Sequence, residues 1–239
     1  MKSHIGLILL VMLSLCAQAI GQNDAKTEEV FQALASDPDE ARALQLIKTV
    51  DKNSMNSEGR TLLMVASMNK KFQVVEALID AGADLNIVSK SGFPTMFFVS
   101  ATNRGTVLEK AVRRGGKLDV RAPDKTTLLH RACEEGLLST IRYLISQKVD
   151  VNAKTENGVT PLMFAAYAGK EKVIQELLKA GADTKITVIY DNNSPQGLVE
   201  TAYSVAVRRR HGEAAEILRQ AMGLPKPPTL TTTLEGDPW

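Results

Sequence analysis

Residues 158–183, GVTPLMFAAYAGKEKVIQELLKAGAD, contain two short apolar segments that are separated by Gly169 and followed by Gly181. Thr160 and Pro161 suit the start of a helix, because the hydroxyl can accept from a free backbone N–H and proline has no donor to lose there. Gly181 stands where the end of the second helix favours a left-handed residue. The stretch therefore predicts a helix–turn–helix hairpin, which is too small to bury its own apolar face.

The start of this hairpin recurs at a fixed spacing. Thr127 precedes Thr160 by 33 residues and Thr61 precedes it by 99, with Pro94 at the position between them. The helix-ending position recurs at the same spacing, where it is occupied in turn by Gly82, Gly115, Lys148 and Gly181. A period of this size is typical of stacked arrays, in which each repeat covers the apolar face of its neighbours. The sequence thus predicts a solenoid.

The repeat resembles the ankyrin repeat, with its pattern G-x-T-P-L-H-x-A-A-x-x-G-H-x-x-V-V-x-L-L-L-x-x-G-A-D-V-N-A. Residues 158–182 match this pattern almost throughout, and residues 127–132 keep the threonine, leucine, histidine and alanine. The copy at Phe93 and Pro94 inverts the Thr-Pro order, so the start of that helix stays open. The resemblance implies an all-α ankyrin repeat solenoid of stacked helix–turn–helix units with short β-hairpin fingers.

The resemblance divides the chain into a leader, a series of helical units and a tail. The expected boundaries are 1–21 for a cleaved signal peptide, 24–56 for an N-terminal capping repeat, 57–88, 89–121, 122–154 and 155–187 for ankyrin repeats, 188–223 for an enlarged finger with a C-terminal capping repeat, and 224–239 for a disordered tail. Thr201 lies 41 residues after Thr160, eight more than the period. The extra residues begin with strand formers and lead into turn residues, which predicts the enlarged finger.

Residues 1–21 have the layout of a secretory signal peptide, with a basic start, an apolar block over residues 5–16 and small residues before the cleavage site. The alternative is an apolar N-terminal helix. We expect export to the bacterial periplasm, with full secretion as the next possibility. A lipid anchor through Cys16 is disfavoured, because bulky Leu15 stands where a lipobox has a small residue.

The composition excludes several classes of function. The chain is 44% hydrophobic and 23% charged, as is ordinary for globular proteins. Without residues 1–21 it has 28 basic and 27 acidic residues, a balance that does not favour nucleic acid or an anionic membrane as the partner. No other stretch is apolar over the length of a transmembrane helix. We expect a monomer with neither a nucleic-acid partner nor a transmembrane segment.

The few reactive side chains do not form a catalytic or metal-binding pattern. Cys133 occupies the position of Ala166 in the next repeat, which predicts a small buried hydrophobe. His130 lies at the histidine position of the family motif, where the resemblance implies hydrogen bonds to the backbone near the turns. Two ligands three residues apart do not make a metal site. Phosphate-loop, G-x-S-x-G, H-E-x-x-H and EF-hand patterns are all missing, so we expect no enzyme activity, no cofactor and no metal.

Ankyrin arrays bind other proteins, and the resemblance implies a non-catalytic protein–protein interaction scaffold. The family binds through a concave face made of finger tips and the exposed sides of the first helices. Matching positions, together with the enlarged finger, predict a partner-binding surface that comprises Arg60, Met68, Lys90, Phe93, Thr102, Asp124, Thr126, Glu134, Glu135, Glu156, Val159, Tyr167, Tyr190, Arg208 and Arg209. Phe93 and Tyr167 are the strongest candidates, because aromatic and arginine side chains carry most interface energy.

Two alternatives from other classes stay open. One is an accessory or protective factor for a stress-response enzyme such as a periplasmic catalase. The other is a secreted effector that acts inside a host. The basic run that begins at Arg208 and ends at His211 is interpreted as a solvated helix end, with a functional basic patch as the alternative.

Overall fold

The computed structural model describes residues 24–36, 40–189 and 199–225. Its helices are α1 (24–36), α2 (Glu40–Leu46, continued by a 3-10 turn at Ile47–Thr49), α3 (Leu62–Met68), α4 (Phe72–Asp80), α5 (Thr95–Ser100), α6 (Gly105–Arg113), α7 (Leu128–Glu135), α8 (Leu138–Ser146), α9 (Pro161–Tyr167), α10 (Glu171–Lys179), α11 (Ala202–Arg208) and α12 (Gly212–Ala221). First helices stack on first helices (α3, α5, α7, α9, α11) and second helices on second helices (α4, α6, α8, α10, α12). The predicted all-α solenoid is confirmed.

Where a repeat starts with threonine, that threonine caps its first helix as predicted. The hydroxyls of Thr61, Thr127, Thr160 and Thr201 accept the backbone N–H three residues later at 3.2–3.4 Å. Pro94 cannot do this, yet α5 begins at the corresponding position of its repeat. The N–H and the hydroxyl of Thr95 instead both donate to the carbonyl of Ile87 at 2.9 Å. The inverted Thr-Pro order therefore keeps the helix start and loses only the side-chain cap.

The helix-ending position has the same left-handed backbone conformation in the four repeats aligned above. Gly82, Gly115 and Gly181 have φ angles of 76°, 96° and 85°. Lys148 has a φ of 58°, so it adopts the left-handed conformation although it carries a side chain. This conformation is unfavourable for residues other than glycine. The repeat geometry thus overrides the local preference of Lys148.

Short fingers connect the helix pairs. Three of them close with a single antiparallel bridge each, Met55 to Thr61, Val88 to Pro94 and Arg121 to Thr127. The last finger has two paired strands, β1 (Val188–Ile189) and β2 (Val199–Glu200), with Val188 opposite Glu200. These strands agree with the strand-forming residues predicted there. Tyr190 and the predicted turn residues lie outside the described residues, as do residues 1–23, 37–39 and 226–239.

One apolar core runs along the array between the stacked helices. The small residues Ala66, Ala132, Ala165 and Ala166 are fully buried, which lets successive first helices approach closely. Cys133 is also fully buried, and the apolar surroundings raise the pKa of its thiol. The interpretation of Cys133 as a core residue is confirmed.

Asparagine side chains connect successive repeats behind the fingers. Asn86 Nδ2 donates to the carbonyl of Gly115 at 3.1 Å, and Asn86 Oδ1 accepts the N–H of Lys117 at 3.3 Å. Asn152, two repeats further along the chain, makes the equivalent bonds to the carbonyl of Gly181 and the N–H of Asp183. Asp119 occupies the position between these two asparagines. A carboxylate has no N–H to donate, so the series of bonds is interrupted there.

Candidate protein-binding surface

An open groove of about 550 Å³ lies across the ends of α3, α5 and α7 and the two fingers before α5. We call it the aromatic groove, and it is lined by Arg60, Ser67, Met68, Lys70, Ser91, Phe93, Phe97, Phe98, Ala101, Arg131 and Glu135. Binding pockets for small molecules and side chains are commonly of this size and are mostly apolar. The groove gathers four of the predicted residues, namely Arg60, Met68, Phe93 and Glu135.

The apolar part of the aromatic groove is formed by residues of α3 and α5 and the finger between them. Met68 and Phe93 are 45% and 39% exposed, large fractions for such side chains. The Phe93 and Phe97 rings meet edge to face, with centroids 5.9 Å apart. Sequence reasoning missed Phe97 and Phe98, although both lie in the aromatic-rich first turn and a half of the helix that follows Phe93. An exposed apolar cluster of this kind is typical of an interaction site.

Two polar atoms in the aromatic groove lack hydrogen bonds. They are Arg60 Nε and Ser67 Oγ, which are buried and find no partner within the part of the chain that the structure describes. The terminal guanidinium of Arg60 pairs with the carboxylate of Glu58. Ser67 is 2% exposed and lies next to Met68 on α3. Buried polar groups usually have partners, so these two mark an unusual site.

Basic groups predominate around the aromatic groove. Its lining contains Arg60, Lys70 and Arg131 but a single carboxylate, that of Glu135. Arg131 pairs with Glu135 at 2.6 Å and with Glu134 at 3.5 Å. Lys70 is exposed and has a left-handed φ of 55°. Among the ion pairs of the described residues none involves Lys70, so its charge is available to a partner.

Tyr167 and Arg209 form a second cluster further along the array. The guanidinium of Arg209 lies 4.1 Å from the centre of the Tyr167 ring, as in a cation–π contact. His211 Nε2 is 3.1 Å from the carbonyl oxygen of Tyr167. Tyr167 is 46% exposed, so the ring remains accessible on its other side. These two predicted residues therefore form one surface, separate from the aromatic groove.

Arg208 has a structural contact that the sequence did not indicate. Its guanidinium binds both carboxylate oxygens of Glu200, at 2.5 and 2.9 Å. Glu200 is 2% exposed, so its charge is compensated mainly by this ion pair. Arg208 is exposed at the end of α11, and its side chain also holds β2 against α11 through this ion pair.

The remaining predicted residues mostly belong to finger tips. Lys90 Nζ donates to the carbonyl of Ser57 at 2.9 Å, in the preceding finger. Asp124 accepts from the N–H and the hydroxyl of Thr126 at 3.0 and 2.8 Å. The N–H of Glu156 donates to the carbonyl of Asp124 at 2.8 Å, so backbone bonds also join two fingers.

Thr102 is an exception among the predicted surface residues. It is 5% exposed, and its hydroxyl donates to the carbonyl of Val99 at 2.8 Å. The expectation that Thr102 presents its side chain to a partner is therefore wrong. The side chain closes the end of α5 instead of pointing to solvent.

His130 has the backbone contacts that the resemblance implied. The Thr127 N–H donates to Nδ1 at 3.2 Å, and Nε2 lies 3.0 Å from the carbonyl oxygen of Val159. With Nδ1 as acceptor, Nε2 carries the proton and donates to Val159, which defines a neutral ring. Burial lowers the pKa of His130 from 6.5 to about 4, against the weaker opposing effect of the Val159 carbonyl.

Comparison with known proteins identifies the repeats. The profile described as Ankyrin repeats (3 copies) matches residues 96–188, and the profile described as Ankyrin repeat matches residues 58–90. Together the two cover more than half of the chain. The protein belongs to the ankyrin repeat family. Helix pairs of the same kind continue on both sides of the matched residues, from α1 to α12.

Relatives of this ankyrin repeat protein differ widely in size. It is 29% identical to the ankyrin repeat protein YahD of Escherichia coli strain K12 over 177 residues, which are 71% of this chain and 83% of YahD. It is 28% identical to mouse Rabankyrin-5 over 54% of this chain but only 12% of that protein. The phosphocholine transferase AnkX of Legionella pneumophila is 26% identical over 72% of this chain and 17% of the transferase. The larger relatives thus match only in a small part of their length.

Two other kinds of site are absent from the described residues. Among residues 24–36, 40–189 and 199–225, no three or more His, Cys, Asp or Glu side chains come together in a way that could hold a metal ion. Within the same ranges, every helix is too short or too polar to cross a bilayer.

Proposed function

We propose that this ankyrin repeat protein is a non-catalytic scaffold whose partner protein binds in the aromatic groove. The observation that carries the proposal is the exposure of Met68 and Phe93 beside Phe97 and Phe98 in one groove. Large apolar side chains that are buried in a complex account for most of the binding energy of many interfaces. The Tyr167–Arg209 cluster lies on another part of the array and would contact the same partner only if that partner is long.

The proposal is tested by affinity capture with the mature protein and a Met68→Ala/Phe93→Ala double variant. We expect the double variant to lose at least about tenfold in affinity for the captured partner, since hot-spot truncations commonly have effects of this size. The matched control is Val207→Ala, which truncates a residue that is 50% exposed on α11, outside the groove. Equal binding by the double variant and the control would contradict the proposal.

We also propose that the protein works after export to the bacterial periplasm. The support is the signal-like layout of residues 1–21, with its basic start and its apolar block. The test is the mass of the protein in periplasmic, cytoplasmic and culture fractions. A shortened protein in the periplasm is expected, and a full-length protein in the cytoplasm would contradict it. A catalase among the captured proteins would favour the accessory role over a general scaffold.

A further inference from the structure

We propose that the aromatic groove recognises a protein segment in which a carboxylate stands directly beside a large apolar side chain. This inference rests on the proposed function and adds the chemistry of the partner. It draws on three independent features of the groove, namely its apolar lining, its unpaired positive charge and its unsatisfied hydrogen-bond donors.

The apolar lining selects an aromatic or long aliphatic side chain. Phe97 is buried and contacts the ring of Phe93, so the partly exposed Phe93 ring packs against a fixed side chain. Met68 faces the same groove, and its unbranched thioether adapts to rings of different shape. A groove of about 550 Å³ holds such a side chain together with its neighbours in the partner chain.

The charge at the edge of the groove selects an acidic neighbour. Arg60 and Arg131 already have carboxylate partners in Glu58 and Glu135. Lys70 has none among the described residues, and its ammonium stays in solvent beside the apolar lining. The equivalent position carries Asn103, Gly136, Gly169 and Arg210 in the other repeats, all with the same left-handed backbone, so the conformation of Lys70 is a property of the repeat. The unpaired ammonium of Lys70 beside the apolar lining favours an acidic neighbour in the partner.

The unsatisfied atoms require a hydrogen-bond acceptor. Arg60 Nε is a donor, and the Ser67 hydroxyl can donate or accept. A carboxylate can accept a hydrogen bond from either of these groups. Both atoms are covered in the free protein, so a partner reaches them only when neighbouring side chains move. Met68 has the flexibility for this movement. An acidic side chain would thus satisfy donors that are left without bonds in the free protein.

The inference is tested by selecting peptides from a random display library with the mature protein. We expect the selected peptides to contain Asp or Glu next to Phe, Tyr, Trp, Leu or Met. For one selected peptide, Lys70→Glu should weaken binding at least about tenfold, as for loss of a close charge pair. The matched control is Lys125→Glu, an exposed lysine with a similar left-handed φ of 63° that lies outside the groove. It should change the affinity less than about twofold.

Ser67→Ala separates binding from folding. It should weaken binding of the same peptide several-fold. The urea midpoint of unfolding should stay unchanged or rise, because the variant removes a buried hydroxyl that has no hydrogen-bond partner. Equal affinity of wild type and Ser67→Ala would overturn the assigned role of the hydroxyl.

The outcomes distinguish the inference from the proposed function. Peptides that need Met68 and Phe93 but carry no acidic residue would overturn the inference and leave the groove as the binding site. Peptides that bind the Met68→Ala/Phe93→Ala variant as well as the wild type would overturn the groove itself. A library that yields no groove-dependent binder would overturn both.

Discussion

The Nε2 atom of His130 lies 3.0 Å from the carbonyl oxygen of Val159, a residue of the following finger. Nδ1 of the same ring accepts the N–H of Thr127 at 3.2 Å. One neutral imidazole therefore joins the start of α7 to the next repeat. This arrangement needs one ring nitrogen with a proton and one without, so protonation of the ring would break the bond at Nδ1.

The histidine should make stability depend on pH. Its pKa is 6.5 when unfolded and about 4 when folded, because burial disfavours the charged ring. The unfolded chain therefore binds the proton first, and stability is complete above the unfolded pKa and falls as the pH drops towards 4. We expect a loss of about 2 kcal/mol between about pH 7.5 and about pH 5 from this group. Urea unfolding at several pH values measures the effect.

The control for this prediction is His130→Met. Met64 and Met163 occupy the same position of their helices, so methionine fits there. The variant should lose the part of the pH dependence between pH values of about 7 and about 5 that arises from the histidine. A pH profile identical to that of the wild type would show that His130 does not titrate in this range.

Lys148→Gly should stabilise the protein. Lys148 has a left-handed backbone, which glycine adopts without strain, so we expect a gain of about 0.5–1 kcal/mol in the free energy of unfolding. The reverse test is Gly181→Ala, at a position where an added Cβ meets no atom within 4 Å. Its expected loss of about 1 kcal/mol thus contains no contribution from a steric clash. Urea midpoints of both variants check the pair, and a stabilised Gly181→Ala would contradict the explanation.

Asp119→Asn should restore the interrupted series of side-chain bonds between repeats. By the geometry of Asn86 and Asn152, its amide would donate to the carbonyl of Lys148 and accept the N–H of Asp150. We expect a gain of about 1 kcal/mol in the free energy of unfolding.

The matched change for this test is Asn86→Asp. It removes the amide donor and should lower the free energy of unfolding by a similar amount. Hydrogen exchange of the Asp150 amide gives a local measurement, since a new bond slows its exchange. Unchanged stability and exchange in Asp119→Asn would show that the two fingers are too far apart at this junction.

Arg208→Ala should destabilise the last repeat by about 2–3 kcal/mol, because it leaves the buried carboxylate of Glu200 without its main partner. Arg209→Ala should cost less than about 1 kcal/mol, since its exposed cation–π contact is weak. Thermal unfolding compares the two variants. Adding Glu200→Gln to Arg208→Ala should recover part of the loss, and a double variant as unstable as the single one would contradict the role of the charge.

Local chemistry accounts for the part of the fold that the sequence alone predicted. The 33-residue spacing, the capping threonines and the left-handed glycines act within one hairpin, so each could be recognised from neighbouring residues. Cys133 and His130 were placed correctly because the positions of one repeat carry over to the next. The sequence also named four of the groove residues, since exposed positions of the repeat are known from its pattern.

The rest of the site depends on contacts between repeats, which no single repeat encodes. Ser67 of α3 and Arg131 of α7 join Phe93 in one groove only because α3, α5 and α7 stack side by side. Arg208 meets Glu200 within the last repeat, where no pattern of the regular repeat predicts this ion pair. Burial of Thr102 depends likewise on the packing around the end of α5. The features that define a repeat are local, so they can be recognised from the sequence of that repeat. The binding surface consists of residues from several repeats, which come together only when the helices stack.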